Sequence, residues 1–229
     1  MELDASSLGP SGDVQDPAVL VLAGQSIISE TADSAHLYQI GRDVTSTSPA
    51  DSTVRFERAE YGLPDNDQSK SPGGSQKQKQ HLFYLVHPVG AQYRTDLPAH
   101  YYMTSAVPGM IGNIRFETSK ARLQRTGFRA FLSPKRSARD QPLFDNDKTR
   151  QQLLFNATPK WKGCESFTWT DAGGRKVAYE DEDGQHKLVV TLPMPLELRD
   201  ALVALWILRL WHDIAETRHA KRECKLVSC

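Results

Sequence analysis

The sequence predicts a mainly β protein, in which a closed antiparallel β-barrel of about twelve strands surrounds a buried C-terminal α-helix. Short stretches of alternating or continuous apolar residues, typical of strands, fill the chain up to residue 192. The segment 201–208 (ALVALWIL) is then apolar at every position, so no face of that helix can lie against water. Short antiparallel strands can enclose such a helix by closing around it as a barrel, which also removes the sheet edges.

The predicted strands are short apolar runs bounded by turn or loop residues. The last of them are joined by hairpins, since Gly173, Gly174 and Gly184 supply the positive φ that tight turns require. In order, the predicted strands are Val19–Leu22, Ser26–Ser29, Leu37–Ile40, Thr53–Arg58, Leu82–Val86, Tyr101–Thr104, Gly112–Glu117, Gly127–Leu132, Leu153–Ala157, Glu165–Thr170, Lys176–Glu180 and Lys187–Leu192.

One long helix is predicted from Pro195, with the part up to residue 215 inside the barrel. Pro195 suits a first helical turn, and Glu197 and Asp200 lie near the positive end of the helix dipole. The apolar run is shorter than the ~18 residues that a bilayer span needs, so we expect no transmembrane span. The side chains expected in the core are Trp206, Leu202, Leu205, Leu208 and Leu210.

The predicted organisation is one barrel domain over 18–215 with a polar segment at each end. Residues 1–17 lack aromatic and β-branched residues except Val14, which predicts a disordered tail, and 216–229 is a polar C-terminal tail. Two polar runs, 62–80 and 133–150, are predicted as mobile loops. The alternative, a linker between two domains at 62–80, would leave a first domain of only about 45 residues.

Composition and charge exclude several function classes. Lys plus Arg and Asp plus Glu are both 28, so the chain has no net field to hold a polyanion, and bulk nucleic-acid binding is disfavoured. Cys164, Cys224 and Cys229 are too few and too scattered for a disulfide framework, which indicates a reducing compartment. Since Met1–Pro17 has no secretory signal pattern, we expect the cytoplasm or nucleus, with any membrane contact peripheral.

The layout of a strand-rich chain that ends in a hydrophobic helix resembles the tubby C-terminal, LURP-one-related and phospholipid-scramblase superfamily. The resemblance implies a barrel of about twelve strands around the C-terminal helix, and functions that include binding of phosphoinositide headgroups. It carries over no individual site residue. Five segments look like those of a group of fungal proteins of this type: Leu37–Ser46, Val54–Tyr61, Gly112–Phe116, Trp161–Arg175 and Asp200–Asp213.

No combination of residues indicates a catalytic centre. There is no phosphate-binding loop, no G-x-S-x-G elbow and no C-x-x-C pair. The best metal-like spacing, His212, Glu216 and His219 on one helix face, is more typical of a solvated helix end. We therefore predict that the protein is not an enzyme and binds no metal or cofactor.

One local charge asymmetry stands out against the neutral total. The stretch Ser119–Arg139 contains seven cations and no acid, interleaved with Phe128 and Phe131. It predicts a binding surface for an anionic phospholipid or phosphoinositide headgroup. The alternatives are an ordinary basic outer strand face, or a protein-interaction scaffold that recognises partners through the loops 62–80 and 133–150. The candidate anion-binding residues are Lys120, Arg122, Arg125, Arg129, Lys135, Arg136 and Arg139.

Overall fold

A computed structural model of the chain describes residues 13–31, 35–46, 53–60, 78–88, 101–108, 110–119, 126–145, 151–160, 165–181 and 184–227. It contains a closed antiparallel barrel, a separate two-stranded sheet and one helix. The elements are β1 (Val14–Gln15), β2 (Ala18–Ala23), β3 (Ser26–Ser29), β4 (His36–Ile40), β5 (Thr53–Glu60), β6 (Gln78–Val86), β7 (Tyr102–Ser105), β8 (Gly112–Ser119), β9 (Gly127–Pro134), β10 (Gln152–Pro159), β11 (Glu165–Asp171), β12 (Lys176–Asp181), β13 (Lys187–Val190), β14 (Met194–Pro195) and α1 (Leu196–Val227).

The barrel consists of the twelve strands β2 to β13, which confirms the twelve predicted strands. Strands that follow one another in the chain are neighbours in the barrel. The barrel closes where β13 pairs with β2, in a register that places Val190 opposite Ala18 and Lys187 opposite Val21. Each of the twelve strands therefore has a neighbouring strand on both sides, so the barrel, as far as the structure describes the chain, has no edge strand.

Alternation along the strands separates the barrel interior from its outer face. Ile114 and Phe116 of β8 and Phe128 and Ala130 of β9 are all buried, and each pair shares the inward face of its strand. The rings of Phe116 and Phe128 are stacked with centroids 4.8 Å apart. Residues at the intervening positions, such as Arg115 and Arg129, consequently lie on the outer face.

The apolar part of α1 fills the barrel, as its composition predicts. Residues 201–211 are buried without interruption, and Trp206 and Leu205 have no exposed surface. Burial of each large apolar side chain contributes about 1.5–3 kcal/mol relative to exposure. The helix therefore shares one core with the inward side chains of the barrel strands.

Two buried polar clusters tie α1 to the barrel wall. At the first, Asp200 accepts a hydrogen bond from the hydroxyl of Tyr38 at 2.9 Å and forms an ion pair with Arg58. Burial raises the pKa of Asp200 to about 6, against the opposing effects of Arg58 and Tyr38. Burial and the adjacent Asp200 carboxylate raise the pKa of Tyr38 well above its usual value.

The second cluster lies nine residues further along the helix, about 13 Å along its axis. Arg209 forms a fully buried ion pair with Glu180 of β12 and a second one with Asp213 at 2.6 Å. The indole nitrogen of Trp169 donates to Glu180 at 2.8 Å, and the ring of Phe167 lies 4.2 Å from the Arg209 guanidinium carbon. The buried charges are thus paired and hydrogen-bonded, as burial in a core requires.

Several boundaries differ from those expected. Within the expected tail 1–17, Val14 and Gln15 form β1, which pairs with Pro195 and Met194 of β14, while 1–12 lie outside the described residues. The helix begins at Leu196 and continues through Val227, beyond residue 215. The expected loop 62–80 ends in β6, since that strand begins at Gln78, and 61–77 lie outside the described residues.

Candidate functional site

An external segment, residues 135–145, follows β9 and covers the outer face of β7, β8 and β9; we call it the strap. The backbone nitrogen of Ala138 donates to the carbonyl oxygen of Ser105 at 2.9 Å. The backbone nitrogen of Asp145 donates to the hydroxyl of Ser133 at 3.1 Å. Of the expected loop 133–150, residues 133 and 134 belong to β9 and residues 135–145 form the strap. Residues 146–150 lie outside the described residues.

Asn113 of β8 is the main polar anchor of the strap. Its side chain is fully buried and donates to the carbonyl oxygens of Ser137 at 3.0 Å and Leu143 at 2.7 Å. Its amide oxygen accepts a hydrogen bond from the backbone nitrogen of Ser105 at 2.9 Å. One amide thus joins both ends of the strap to β7 and β8.

The strap also holds its own shape. Asp140 accepts hydrogen bonds from the backbone nitrogen of Ser137 at 2.6 Å and from its hydroxyl at 2.9 Å, and these bonds lower the pKa of the Asp140 carboxyl. Arg136 and Asp145 form an ion pair at 3.2 Å. The acids of the strap therefore neutralise part of its positive charge.

The structure divides the seven candidate cations into separate groups. Lys135, Arg136 and Arg139 lie on the strap, and the side chains of Lys135 and Arg139 are exposed. Arg129 is exposed on the outer face of β9, directly opposite Glu117 of β8 in the strand register. Since Lys135 lies six positions after Arg129, at the end of an extended strand, their Cα atoms lie roughly 20 Å apart.

Three candidate residues, Lys120, Arg122 and Arg125, lie outside the described residues. The strand β8 ends at Ser119 and β9 begins at Gly127, so the chain reaches this segment at the opposite end of β9 from the strap. The stretch 119–139 is contiguous in sequence, but β9 runs through its middle. The described part of the stretch does not form one patch.

Lys135 and Arg136 of the strap border an open depression of about 500 Å³. Both signs of charge are present, since Lys135 and Arg136 are accompanied by Asp140 and Asp145. Lys135 has a φ of 62°, which is the left-handed region that non-glycine residues rarely adopt. Its side chain makes no ion pair with any of the described residues, so its charge remains available to a ligand.

Sequence reasoning missed Arg115, which lies beneath the strap. The ring of Phe144 lies 5.8 Å from the Arg115 guanidinium carbon and 5.5 Å from the ring of Tyr102. The Nε atom of Arg115 is buried and has no hydrogen-bond partner among the described residues. The alternation of β8, with Ile114 and Phe116 inward, was the available signal that Arg115 faces outward.

The described residues hold no group of three or more His, Cys, Asp or Glu side chains arranged to bind a metal ion. Of the metal-like trio, His212 instead contacts Asp213 at 3.2 Å and the ring of Tyr101 at 5.0 Å. In the same part of the chain no helix is long and apolar enough to cross a membrane.

Comparisons of the chain with protein-family models, with curated proteins and with solved structures find no match.

Proposed function

We propose that this protein is a non-enzymatic binding protein with a tubby-like barrel, and that it attaches reversibly to anionic lipid headgroups through the cations of the stretch 119–139. The observation that carries the proposal is the exposure of Lys135 and Arg139 on the strap, where neither side chain has an acidic partner within the described residues. Arg129 adds a third exposed cation on the neighbouring strand face.

The tubby-like part of the proposal is supported by the layout of the barrel. Twelve antiparallel strands close around a C-terminal helix whose apolar part lies inside. This layout is compatible with the fold that the sequence resemblance implies. The implied function, headgroup binding, is tested by liposome co-sedimentation.

The expected strength of attachment follows from the number of cations. Each Lys or Arg near an acidic bilayer contributes about 1 kcal/mol, and salt screens the interaction. Lys135 and Arg139 together would thus raise membrane affinity by roughly thirtyfold. Arg129 would add less, because it lies opposite Glu117 and apart from the strap. Lys120, Arg122 and Arg125 belong to the proposal on sequence alone.

Liposome co-sedimentation tests the proposal. We expect the protein to sediment with vesicles that contain phosphatidylserine or a phosphoinositide at low salt, and to be released at high salt. The triple variant Arg129→Glu, Lys135→Glu, Arg139→Glu should lose binding. A variant with the same charge change elsewhere on the surface, Arg55→Glu, Lys79→Glu, Arg175→Glu, should sediment like the wild type.

A protein-interaction scaffold is the second candidate, and the mixed charge of the depression favours it. Asp140 and Asp145 lie beside Lys135 and Arg136, and a protein partner can match both signs, whereas an anionic membrane offers one. Absence of sedimentation at low salt, or equal loss in both triple variants, would reject lipid attachment and leave the scaffold.

A further inference from the structure

The strap covers a cation that it does not satisfy. Phe144 packs over Arg115 and Tyr102, and the buried Nε of Arg115 has no acceptor among the described residues. This donor has lost its water without gaining an acceptor, which is unfavourable, and the Phe144 ring over the same guanidinium supplies no acceptor for it. Opening of the strap would return the Nε donor to water.

The strap is attached in a way that permits separate opening. The bonds of Asn113, Ser133 and Gln151 with the strap are side-chain bonds, and one backbone bond joins Ala138 to Ser105. None of these belongs to the strand-to-strand pairing of β8 with β9, which continues through all eight residues of β8. Opening of the strap would break few bonds and leave the barrel intact.

We propose that residues 135–145 open as a unit while the barrel stays folded, and that opening frees the guanidinium of Arg115 to bind a phosphate group. The planar fork of an arginine presents two parallel donors that match phosphate oxygens. Tyr102 lies opposite Arg115 in the register of β7 and β8, so its side chain stands beside Arg115 on the same outer face. Free phosphate and lipid headgroups both present such oxygens, so binding of a phosphate group by Arg115 does not require attachment to a membrane.

Thermodynamic linkage makes the proposal measurable. A ligand that binds only the open form raises the ratio of open to closed molecules by the factor 1 + L/Kd. Here L is the ligand concentration and Kd is its dissociation constant for the open form. Amide hydrogen exchange in the strap reports that population. The amides of Ala138 and Asp145 are suitable probes, because each donates to a barrel residue in the closed form.

Opening is tested first with Asn113→Asp. The substitution replaces the amide donors to Ser137 and Leu143 with a carboxylate that repels both carbonyl oxygens. We expect at least about tenfold faster exchange at the Ala138 and Asp145 amides, and unchanged exchange in β8, β9 and α1. The matched control is Asn156→Asp on the outer face of β10, which should leave strap exchange unchanged.

A second variant, Phe144→Ala, loosens the strap from its apolar side and should produce the same pattern if Asn113→Asp prevents folding. Exchange that rises equally in strap and barrel would overturn separate opening, and so would the absence of any rise in both variants.

Phosphate binding is tested on the wild type by replacing sodium chloride with inorganic phosphate at equal ionic strength. At a concentration equal to the dissociation constant, phosphate should double strap exchange. Arg115→Gln should abolish this dependence, while Arg55→Gln, on the outer face of β5, should keep it. Acceleration by phosphoinositide vesicles alone would identify a lipid headgroup as the source of the phosphate; acceleration by neither probe would overturn the assignment of Arg115.

Discussion

Gly112 begins β8 with a backbone that only glycine tolerates. Its φ is 130°, and a Cβ atom at this position would lie 2.3 Å from the carbonyl oxygen of Ser133 and 3.0 Å from the Cα of Pro134. Both neighbours are backbone atoms of β9 and cannot turn away. Gly112 therefore permits the close approach of β8 and β9 beneath the strap.

We expect Gly112→Ala to lower the free energy of unfolding by at least about 3 kcal/mol, from backbone strain together with overpacking. The matched control is Gly24→Ala in the β2–β3 turn, where φ is 61° but nothing lies within 4 Å of an added Cβ. That change should cost only about 1 kcal/mol. Urea unfolding measures both, and equal costs would show that the contact with Ser133 does not matter.

Asp200 makes stability depend on pH. Its folded pKa of about 6 lies above the usual 3.8, so between these values the folded protein binds more protons than the unfolded chain. The resulting stabilisation is fully present below the unfolded pKa and is lost as the pH rises through 6. A carboxylate whose pKa is depressed by an ion pair has the opposite effect, because its stabilisation is lost as the pH falls.

We therefore expect the difference in free energy of unfolding, wild type minus Asp200→Asn, to fall by up to about 3 kcal/mol between pH 4 and pH 7. Asparagine can still accept the hydrogen bond from Tyr38 but does not titrate. The same subtraction with Asp171→Asn, at a hairpin on the surface, provides the comparison for loss of a carboxylate. A difference for Asp200 that grows with pH would contradict the raised pKa.

The N-terminal strand β1 supports the start of α1. The carbonyl oxygen of Asp13 accepts a hydrogen bond from the backbone nitrogen of Leu196 at 3.0 Å, and that of Asp16 accepts from Arg199 at 2.7 Å. The first nitrogens of a helix have no partner within the helix, so Asp13 satisfies one of them from outside.

Deletion of residues 1–17 should consequently lower the thermal midpoint by at least roughly 4–8 °C relative to deletion of residues 1–12. The two hydrogen bonds, of about 1 kcal/mol each, are lost together with the pairing of β1 with β14, and each kcal/mol shifts the midpoint of a domain this size by about 2–4 °C. Comparison of the two deletions isolates residues 13–17. Identical midpoints would mean that β1 does not stabilise the helix.

The barrel strands and the helix could be predicted because their signals are local. Alternation such as Ile114 and Phe116, or the unbroken apolar run 201–208, is visible within a few residues. Strand β1 has no such signal, since Val14 stands among polar residues and its partners lie about 180 positions away. The strap could not be predicted from an apolar pattern either, because two polar residues, Asn113 and Ser133, fix it to the barrel.

The candidate site was only partly predictable for a related reason. The stretch 119–139 was identified from charge, which does not tell where a chain turns. The predicted strand Gly127–Leu132 within it already implied that its two ends lie at opposite ends of a strand. The pairing of Arg136 with Asp145 and the covering of Arg115 by Phe144 depend on how the strap folds back.

The whole barrel depends on contacts between distant parts of the chain. β2 has its second neighbour in β13, and β1 has its partner in β14. The interior is filled by α1, which follows every barrel strand in sequence. Closure and core formation both join the beginning of the domain to its end, and such long-range contacts make folding slow.

This order of elements decides when the protein can fold during its synthesis. At about 5–20 residues per second, a ribosome takes roughly 10 to 40 s to produce a domain of this length. Throughout that time β2 lacks β13, and the inward faces of all earlier strands lack the helix that covers them. The nascent chain must therefore be kept from aggregating, which is the task of chaperones, and the native barrel forms only after α1 has left the ribosome.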